Sequence, residues 1–306
     1  MLIRQLQFLA ALAHEKHFAH AAERCEVSQP ALSLAVKQLE SELGVAIVVR
    51  GNRFRGFTRE GEIVLKWAHR MLDDEEALKQ DLGLCSGSPS GRLRLGVIPS
   101  ATATSALLTT SFARDKPAIT IADIEMSSIN ILRALDAFEI DGGITYLDNE
   151  PVEHVRSIAI GLEEYVLVTP EDSPMAKLPA VSWRDAAELP LCLLQRDMQN
   201  RRILDSIFES VGARANARVE TNSMMSKYRY LRSGYWSSIM PRSFVDWISP
   251  PPGIRVIRLI EPKVTKTIGL VIADRVPVPP LLLAFWKHVE RESPRTKHEP
   301  PMAALV

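Results

Sequence analysis

Apolar residues in the first part of the chain recur every three to four positions. Farther on they gather into short runs separated by helical stretches. Leu2, Leu6, Leu9 and Leu12 or Ala13 predict a first amphipathic helix. His17-Phe18 interrupts it, and Ala19 to Cys25 reads as a short second helix whose Ala19, Ala21 and Ala22 let a neighbouring helix approach closely. Glu26-Val27 supplies a tight turn. Ser28 then stands as an N-cap, with Gln29 and Pro30 in the first helical turn, where a missing amide hydrogen costs nothing. Leu32, Val36, Leu39 and Leu43 carry the third helix to Gly44, a natural stop. From Glu60 to Leu84 a longer helix is predicted, with Val64, Ala68, Met71, Leu78 and Leu82 as a narrow apolar stripe and Glu75 in its seam, a pattern suited to pairing with a second copy.

The small, flexible stretch Cys85-Ser86-Gly87-Ser88-Pro89-Ser90-Gly91 marks a boundary. Beyond it, strands alternate with helices. Strands are expected at 93–98, 119–126, 143–145, 165–169, 191–194 and 218–221, and helices at 101–112, 129–138, 183–188 and 200–211. Such alternation implies a parallel sheet with helices on both faces.

With 306 residues, more than one module is expected, and 46% apolar with 24% charged residues is the composition of a globular protein with real cores. No run reaches eighteen apolar residues, which argues against a membrane-spanning helix. The N-terminus reads as an amphipathic helix rather than a secretory signal, so a cytoplasmic location is expected. Cys25, Cys85 and Cys192 have no paired spacing and suit buried or free thiols. Net charge is zero, yet Arg50, Arg53, Arg55 and Arg59 fall within a stretch that carries no acid. DNA affinity needs only such a local basic face.

A short helix, a tight turn and a capped longer helix make a helix-turn-helix, whose second helix presents its N-terminal residues to the major groove. Ser28 caps that helix, and Gln29, Pro30, Ala31, Ser33 and Lys37 would point outward. Glutamine can bond an adenine edge, serine a base or phosphate, and proline or alanine can pack on a thymine methyl.

The combination Ala21-Ala22, Val27-Ser28-Gln29-Pro30-Ala31-Leu32-Ser33, Gln38-Leu39-Glu40, Leu43-Gly44, Arg50, Arg53, Thr58 and Gly61 resembles the signature of the LysR family of bacterial transcriptional regulators. Cys25 replaces the usual leucine, Ile47-Val48 the usual Leu-Phe, and Glu60 a small residue; these departures touch packing detail only. The resemblance implies a multidomain protein, with an all-α winged helix-turn-helix followed by an α/β sensor domain of the type II periplasmic-binding-protein kind. Residues 1–60 would form the DNA-binding domain, 61–84 a dimerising linker helix, 85–91 a hinge and 92–292 the sensor, with a disordered tail at 293–306. Wing strands would lie at 45–49 and 57–58, turning at Gly51-Asn52 and Gly56, with Arg50, Arg53 and Arg55 on phosphate or in the minor groove. One sensor lobe would comprise 92–161 with 268–292 and the other 162–267, joined by crossing strands near 158–165 and 266–272. Expected partners are promoter DNA, a second copy through the linker helix, a further pairing into a tetramer, and RNA polymerase; the sign of regulation stays open.

Ligands of open α/β sheets sit beyond the carboxyl ends of the strands, where helix N-termini point inward. That rule selects Pro99, Ser100, Ala101, Thr102, Ser127, Ser128, Thr145 and Tyr146 from one lobe, and Gln199, Asn200, Arg202, Thr221, Asn222, Trp236 and Ser237 from the other. Their hydroxyls and amides suit a small anion such as a carboxylate. Tyr146-Leu147-Asp148-Asn149-Glu150-Pro151 and Asp197-Met198-Gln199-Asn200-Arg201-Arg202 also resemble a subset of LysR regulators associated with formate dehydrogenase genes, which makes formate a candidate effector.

Two rivals are a solute-binding protein for transport and a cytosolic enzyme on a periplasmic-binding-protein-like fold. The DNA-binding head speaks against the first. Against the second, the sequence has no Gly-x-Ser-x-Gly elbow, phosphate loop, His-Glu-x-x-His or paired-cysteine motif. His14, His17 and His20 span a helix end and the next helix start, and neither metal nor cofactor is expected.

Overall fold

The computed structural model describes all residues except 50, 52, 53, 86–89, 115, 149, 151–154 and 294–306. Arg50, Asn52 and Arg53 of the wing, Asn149 and Pro151 of the formate-like motif, most of the 85–91 connection and nearly all of the tail thus lie outside the described residues. The head consists of α1 (Ile3–Glu15), α2 (Phe18–Arg24) and α3 (Gln29–Leu43), followed by α4 (Arg59–Cys85). Phe8 and Leu12 of α1, Ala21 and Ala22 of α2, and Leu32 and Val36 of α3 share one core, so these two alanines sit where helices meet closely, whereas Ala19 is half-buried and outside that core. Gly44 closes α3 in the left-handed region at φ 69°, which only glycine adopts without strain. Leu2 and Leu43 were expected on apolar faces but are exposed, because each lies at the outer end of its helix.

Among the described residues the wing pairs through an antiparallel bridge between Val48 and Phe57. Thr58 locks it to the linker helix: its Oγ1 donates to the Ala46 carbonyl at 2.5 Å and accepts from Gly61 N at 2.9 Å, capping α4. The stripe on α4 divides between two partners. Ala68 and Leu65 are buried against Leu6, Leu9, Leu39 and Ile47 of the head, with Val64 beside them. Val64 and Ala68 therefore leave the expected pairing seam, because α1 covers the first turns of α4. Ile63, Trp67, Met71, Leu78 and Leu82 form the stripe that stays exposed.

In the sensor, β1 (Gly91–Val97) runs parallel to β2 (Ile119–Glu125) and β3 (Gly142–Tyr146), with α5 (Thr102–Arg114) and α6 (Ser128–Asp136) between them. The chain then enters β4 (Val155–Pro170), which is too long for one lobe. Lobe two holds β5 (Ala180–Ser182), α7 (Trp183–Ala187), β6 (Leu191–Leu194), α8 (Gln199–Ser210), β7 (Ala217–Thr221), α9 (Met224–Leu231), β8 (Ser238–Pro241), α10 (Arg242–Ile248) and β9 (Ile254–Ile260). The return strand β10 (Thr265–Ala273) leads back to lobe one and ends in α11 (Pro280–Glu292). β10 is antiparallel to both β3 and β4, and the far half of β4 is antiparallel to β8 and β9. The sheets are consequently mixed rather than wholly parallel: only a strand that crosses between lobes can pair this way.

Gly61 sits at the joint of wing and linker, where a Cβ would collide with the Ile47 carbonyl. Gly61→Ala should destabilise the head by about 2 kcal/mol, a typical overpacking cost, seen as a lowered melting temperature and reduced DNA binding.

Candidate DNA-binding face and ligand cleft

On α3, Ser28 Oγ accepts from Ala31 N at 3.4 Å, so the cap forms as its position demands. Gln29, Pro30, Ala31 and Lys37 are exposed and Ser33 is half-buried, the first three in the opening turn of the helix and Lys37 near its middle. Leu34, unforeseen, is also exposed on this helix. Between α3 and the wing runs an open groove of about 850 Å³, edged by Ser33, Lys37, Val49 and Gly51. Glu40 fixes its shape, since Oε1 accepts from Ile47 N at 2.7 Å and Val48 N at 3.1 Å. Arg55 is exposed on the wing side.

The second site lies where the lobes meet. Ile98, Pro99, Ser100, Ser127 and Ser128 of lobe one face Leu194, Met198, Gln199 and Asn200 of lobe two across a cavity of about 10 Å³, roughly the space of one water. Helices α6 and α8 both begin here, and their N-termini carry partial positive charge. Ser127 caps α6, accepting from Asn130 N. Bonds cross the cleft. Gln199 approaches Thr145 Oγ1 and the Asp148 carbonyl, each at 3.4 Å. Arg202 forms a bidentate pair with Glu150 at 2.6 and 2.9 Å and reaches Ser128 Oγ at 3.4 Å. Asp148 and Glu150 of the first motif thus meet Gln199 and Arg202 of the second.

Beneath the cavity lies a buried polar network. Asn200 Nδ2 donates to the Tyr146 hydroxyl oxygen at 3.0 Å, and the Tyr146 hydroxyl donates to Glu163 Oε1. Ser100 Oγ and Tyr165 Oη approach the same Tyr146 oxygen at 3.0 and 3.3 Å. Burial pushes the Glu163 carboxyl up to about 8, against the hydrogen bonds of Tyr146 and Tyr165 and the charge of Lys227. Burial likewise pushes Lys227 down to about 8, while its ammonium donates to the Ile239 carbonyl at 2.8 Å. Sequence reasoning missed Glu163, Tyr165 and Lys227. Tyr165 was assigned to a strand but to no site.

The remaining selected residues make other bonds. Thr102 Oγ1 donates to the Pro99 carbonyl at 3.2 Å, and Thr221 Oγ1 accepts from Ser223 N at 3.3 Å. Ser237 Oγ pairs with Thr169 Oγ1 at 2.8 Å, and Trp236 meets Tyr235 and Tyr230 edge-on. Ala101 is buried in the lobe-one core, and Asn222 is exposed. None of these six lines the small cavity.

A third cluster ties the linker helix to lobe one. Arg94 of β1 grips Asp141 at 2.6 Å and Asp73 of α4 at 2.7 Å, and Arg275 stands 3.6 Å from the same Asp73. Burial raises the Asp73 carboxyl to about 6, partly offset by Arg94. Lys66 with Asp136, at 2.7 Å, adds a second tie. Among the described residues no helix is long and apolar enough to cross a membrane.

Two family descriptions match this chain: "Bacterial regulatory helix-turn-helix protein, lysR family" over residues 3–62, and "LysR substrate binding domain" over residues 86–294. A hydrogen peroxide-inducible genes activator from Escherichia coli is 29% identical over 282 residues, 91% of each chain. A full-length OxyR variant from Pseudomonas aeruginosa superposes with a TM-score of 0.76 at 25% identity, covering 98% of this chain and 99% of that one. CbnR complexed with its target DNA superposes at 0.69 with 22% identity, covering 96% of this chain and all of that one, 100%.

The buried acid and lysine predict a stability profile. Glu163 holds its proton in the folded state between pH 4.5 and about 8, whereas the unfolded chain has released it. Its contribution to stability therefore falls as pH rises through that window. Lys227 acts above it: the folded state gives up its proton near 8 and the unfolded chain near 10.5, so stability recovers over that interval. Thermal unfolding should show Glu163→Gln losing less stability than the wild type from about pH 5 to about pH 8. Parallel curves for the two proteins would contradict the assignment.

Proposed function

The chain belongs to the LysR family of bacterial regulatory helix-turn-helix proteins, and from that premise we propose that it is a cytoplasmic, non-catalytic promoter-binding regulator that senses a small carboxylate between its sensor lobes. The chain is a DNA-binding regulator with an effector-binding domain. The observation that carries the sensing reading is the cavity between the lobes, where the N-termini of α6 and α8 and the hydroxyls of Ser100, Ser127 and Ser128 face one another. Such a place stabilises an anion. Formate is the smallest carboxylate the cleft could take, and it too exceeds this water-sized cavity, so any carboxylate requires the lobes to part.

The exposed edge of α3 supports base contact by Gln29, with Pro30, Ala31 and Ser33 beside it and Lys37 on the backbone. Arg55 supports phosphate contact, and Arg50 and Arg53 share that proposed role. Ile63, Trp67, Met71, Leu78 and Leu82 on α4 support pairing with a second copy, which would set two heads on half-sites about one DNA turn apart or a multiple of it. Two such dimers would make a tetramer that presents bound promoter to RNA polymerase. The ties at Arg94–Asp73 and Lys66–Asp136 would carry lobe movement into α4.

Oxidant sensing, suggested by the name of the Escherichia coli relative, has less support. Cys192 is buried in β6, and burial pushes its thiol up to about 11. The thiolate is the reactive form, and this cysteine stays protonated.

Three measurements test the reading. Gln29→Ala should cost about 1–3 kcal/mol in binding the promoter and relax specificity, whereas Arg55→Ala should weaken all sequences alike and lower the salt slope by about one. Trp67→Glu combined with Leu78→Glu should shift the protein to monomer in sedimentation. A saturating carboxylate, at roughly a hundred times its Kd, should add about 2.7 kcal/mol of stability in thermal unfolding. Failure of every small carboxylate to stabilise the protein, while promoter binding persists, would remove the sensing half.

A further inference from the structure

We propose that the effector carries a hydrogen-bond donor beside its anionic group, as a small 2-hydroxycarboxylate does, and that Asn200 selects it. This deepens the effector reading of the cleft and rests on it. Asn200 lines the cavity and is only 3% exposed. Its Oδ1 has no hydrogen-bond partner among the described residues.

The orientation of that amide follows from its neighbours. The Tyr146 hydroxyl donates its single proton to Glu163 Oε1, and its oxygen accepts from Asn200 Nδ2. The amide nitrogen faces Tyr146, which leaves the carbonyl oxygen as the free group. Glu163 can receive that proton whether ionised or not, because Oε1 serves as a carbonyl oxygen in the neutral acid. A buried acceptor without a donor is unfavourable, and a ligand that supplies the donor relieves it.

The rest of the site is made of donors. Ser127 Oγ accepts from Asn130 N, and Ser128 Oγ accepts from Arg202, so these bonds leave both hydroxyl protons for an anion. Helices α6 and α8 add their N-terminal amides. Arg202 is not a free cation here, since Glu150 matches it with two bonds. A bare carboxylate satisfies the donors but sets lone pairs against Asn200 Oδ1. In a hydroxycarboxylate the carboxylate meets the donors and the hydroxyl meets Oδ1. Any ligand larger than a water must part the lobes, and the 3.4 Å contacts of Gln199 are the weakest bonds to yield.

The test is calorimetric titration of the full-length protein with two matched pairs, glycolate against acetate and lactate against propionate, at one pH. The expected result is at least about tenfold tighter binding of the hydroxylated member of each pair, the kind of discrimination a site built around an unpaired polar group gives. Asn200→Leu should erase the preference, checked against a melting curve that shows the variant folded. Equal binding within both pairs by the wild type overturns the inference but leaves the effector reading standing, whichever way the variant behaves. A preference that persists in folded Asn200→Leu also overturns it. Binding of none of the four defeats the inference and counts against the carboxylate reading itself, which the wider stabilisation screen decides.

Discussion

The sensor is organised by one pairing, the antiparallel ladder between β4 and β10. It runs from Val155 opposite Ala273 to Glu164 opposite Thr265, after which β4 continues alone into lobe two and pairs with β8 and β9. Two lobes that share a ladder cannot separate; they can only rotate about it. The register shifts between Ile268 and Gly269, and such an irregularity increases local twist. Gly269 is required there, because a Cβ would meet the Ile158 carbonyl at 2.7 Å and the Leu147 side chain. Glu163 lies near the end of this ladder, beneath the place where the lobes touch, so the cleft and its buried network are both consequences of the crossing.

Lobe one is then fastened to the DNA-binding half. Arg94 belongs to β1, which lies between β2 and β3, and holds Asp73 of α4, while Leu281 N at the start of α11 donates to Gln80 Oε1 of α4 at 3.2 Å. α4 in turn packs into the head through Leu65 and Ala68. Head, linker and lobe one form a connected path of buried contacts. Lobe two joins that path through the ladder and through the cleft, which makes the cleft the place where a small molecule has leverage over the rest.

Much of this was legible in the residues. Ser28, Pro30 and Gly44 announce the limits of α3 because capping chemistry is local, and the structure places the helix between them. The rule that ligands gather at strand ends found Ser100, Ser127, Ser128, Gln199 and Asn200, which the fold brings around one cavity. It also selected Thr221, Trp236 and Ser237, which find other partners away from the cavity, because a strand end by itself does not say which way its loop turns. Glu163 was hidden: in Leu162-Glu163-Glu164 it looks like half of an exposed acidic pair, and only the crossing of β4 buries it while Glu164 stays outside. Lys227 was hidden for the same reason, a charged residue on a helix whose inner face is decided by tertiary packing. On α4 the periodicity was correct, but Val64 and Ala68 pack on the head while Met71, Leu78 and Leu82 stay exposed, since a stripe records burial without naming what covers it.

The distribution of charge in the cleft explains how such a site can signal as well as bind. A ligand shifts a conformational equilibrium only by the difference in its affinity for the two states. A free arginine in one lobe would hold an anion whether the cleft were open or shut, and would contribute little to that difference. Here Arg202 of lobe two is instead matched to Glu150 from the segment that follows β3, so its charge serves lobe-to-lobe contact. The groups left for a ligand are divided, with the serines and the α6 end on one lobe and Asn200 and the α8 end on the other. Each set is weak alone, and only closure brings both to bear. Under the proposed function, affinity would depend on the closed geometry, and that dependence would convert occupancy into movement of lobe two against the linker and the head.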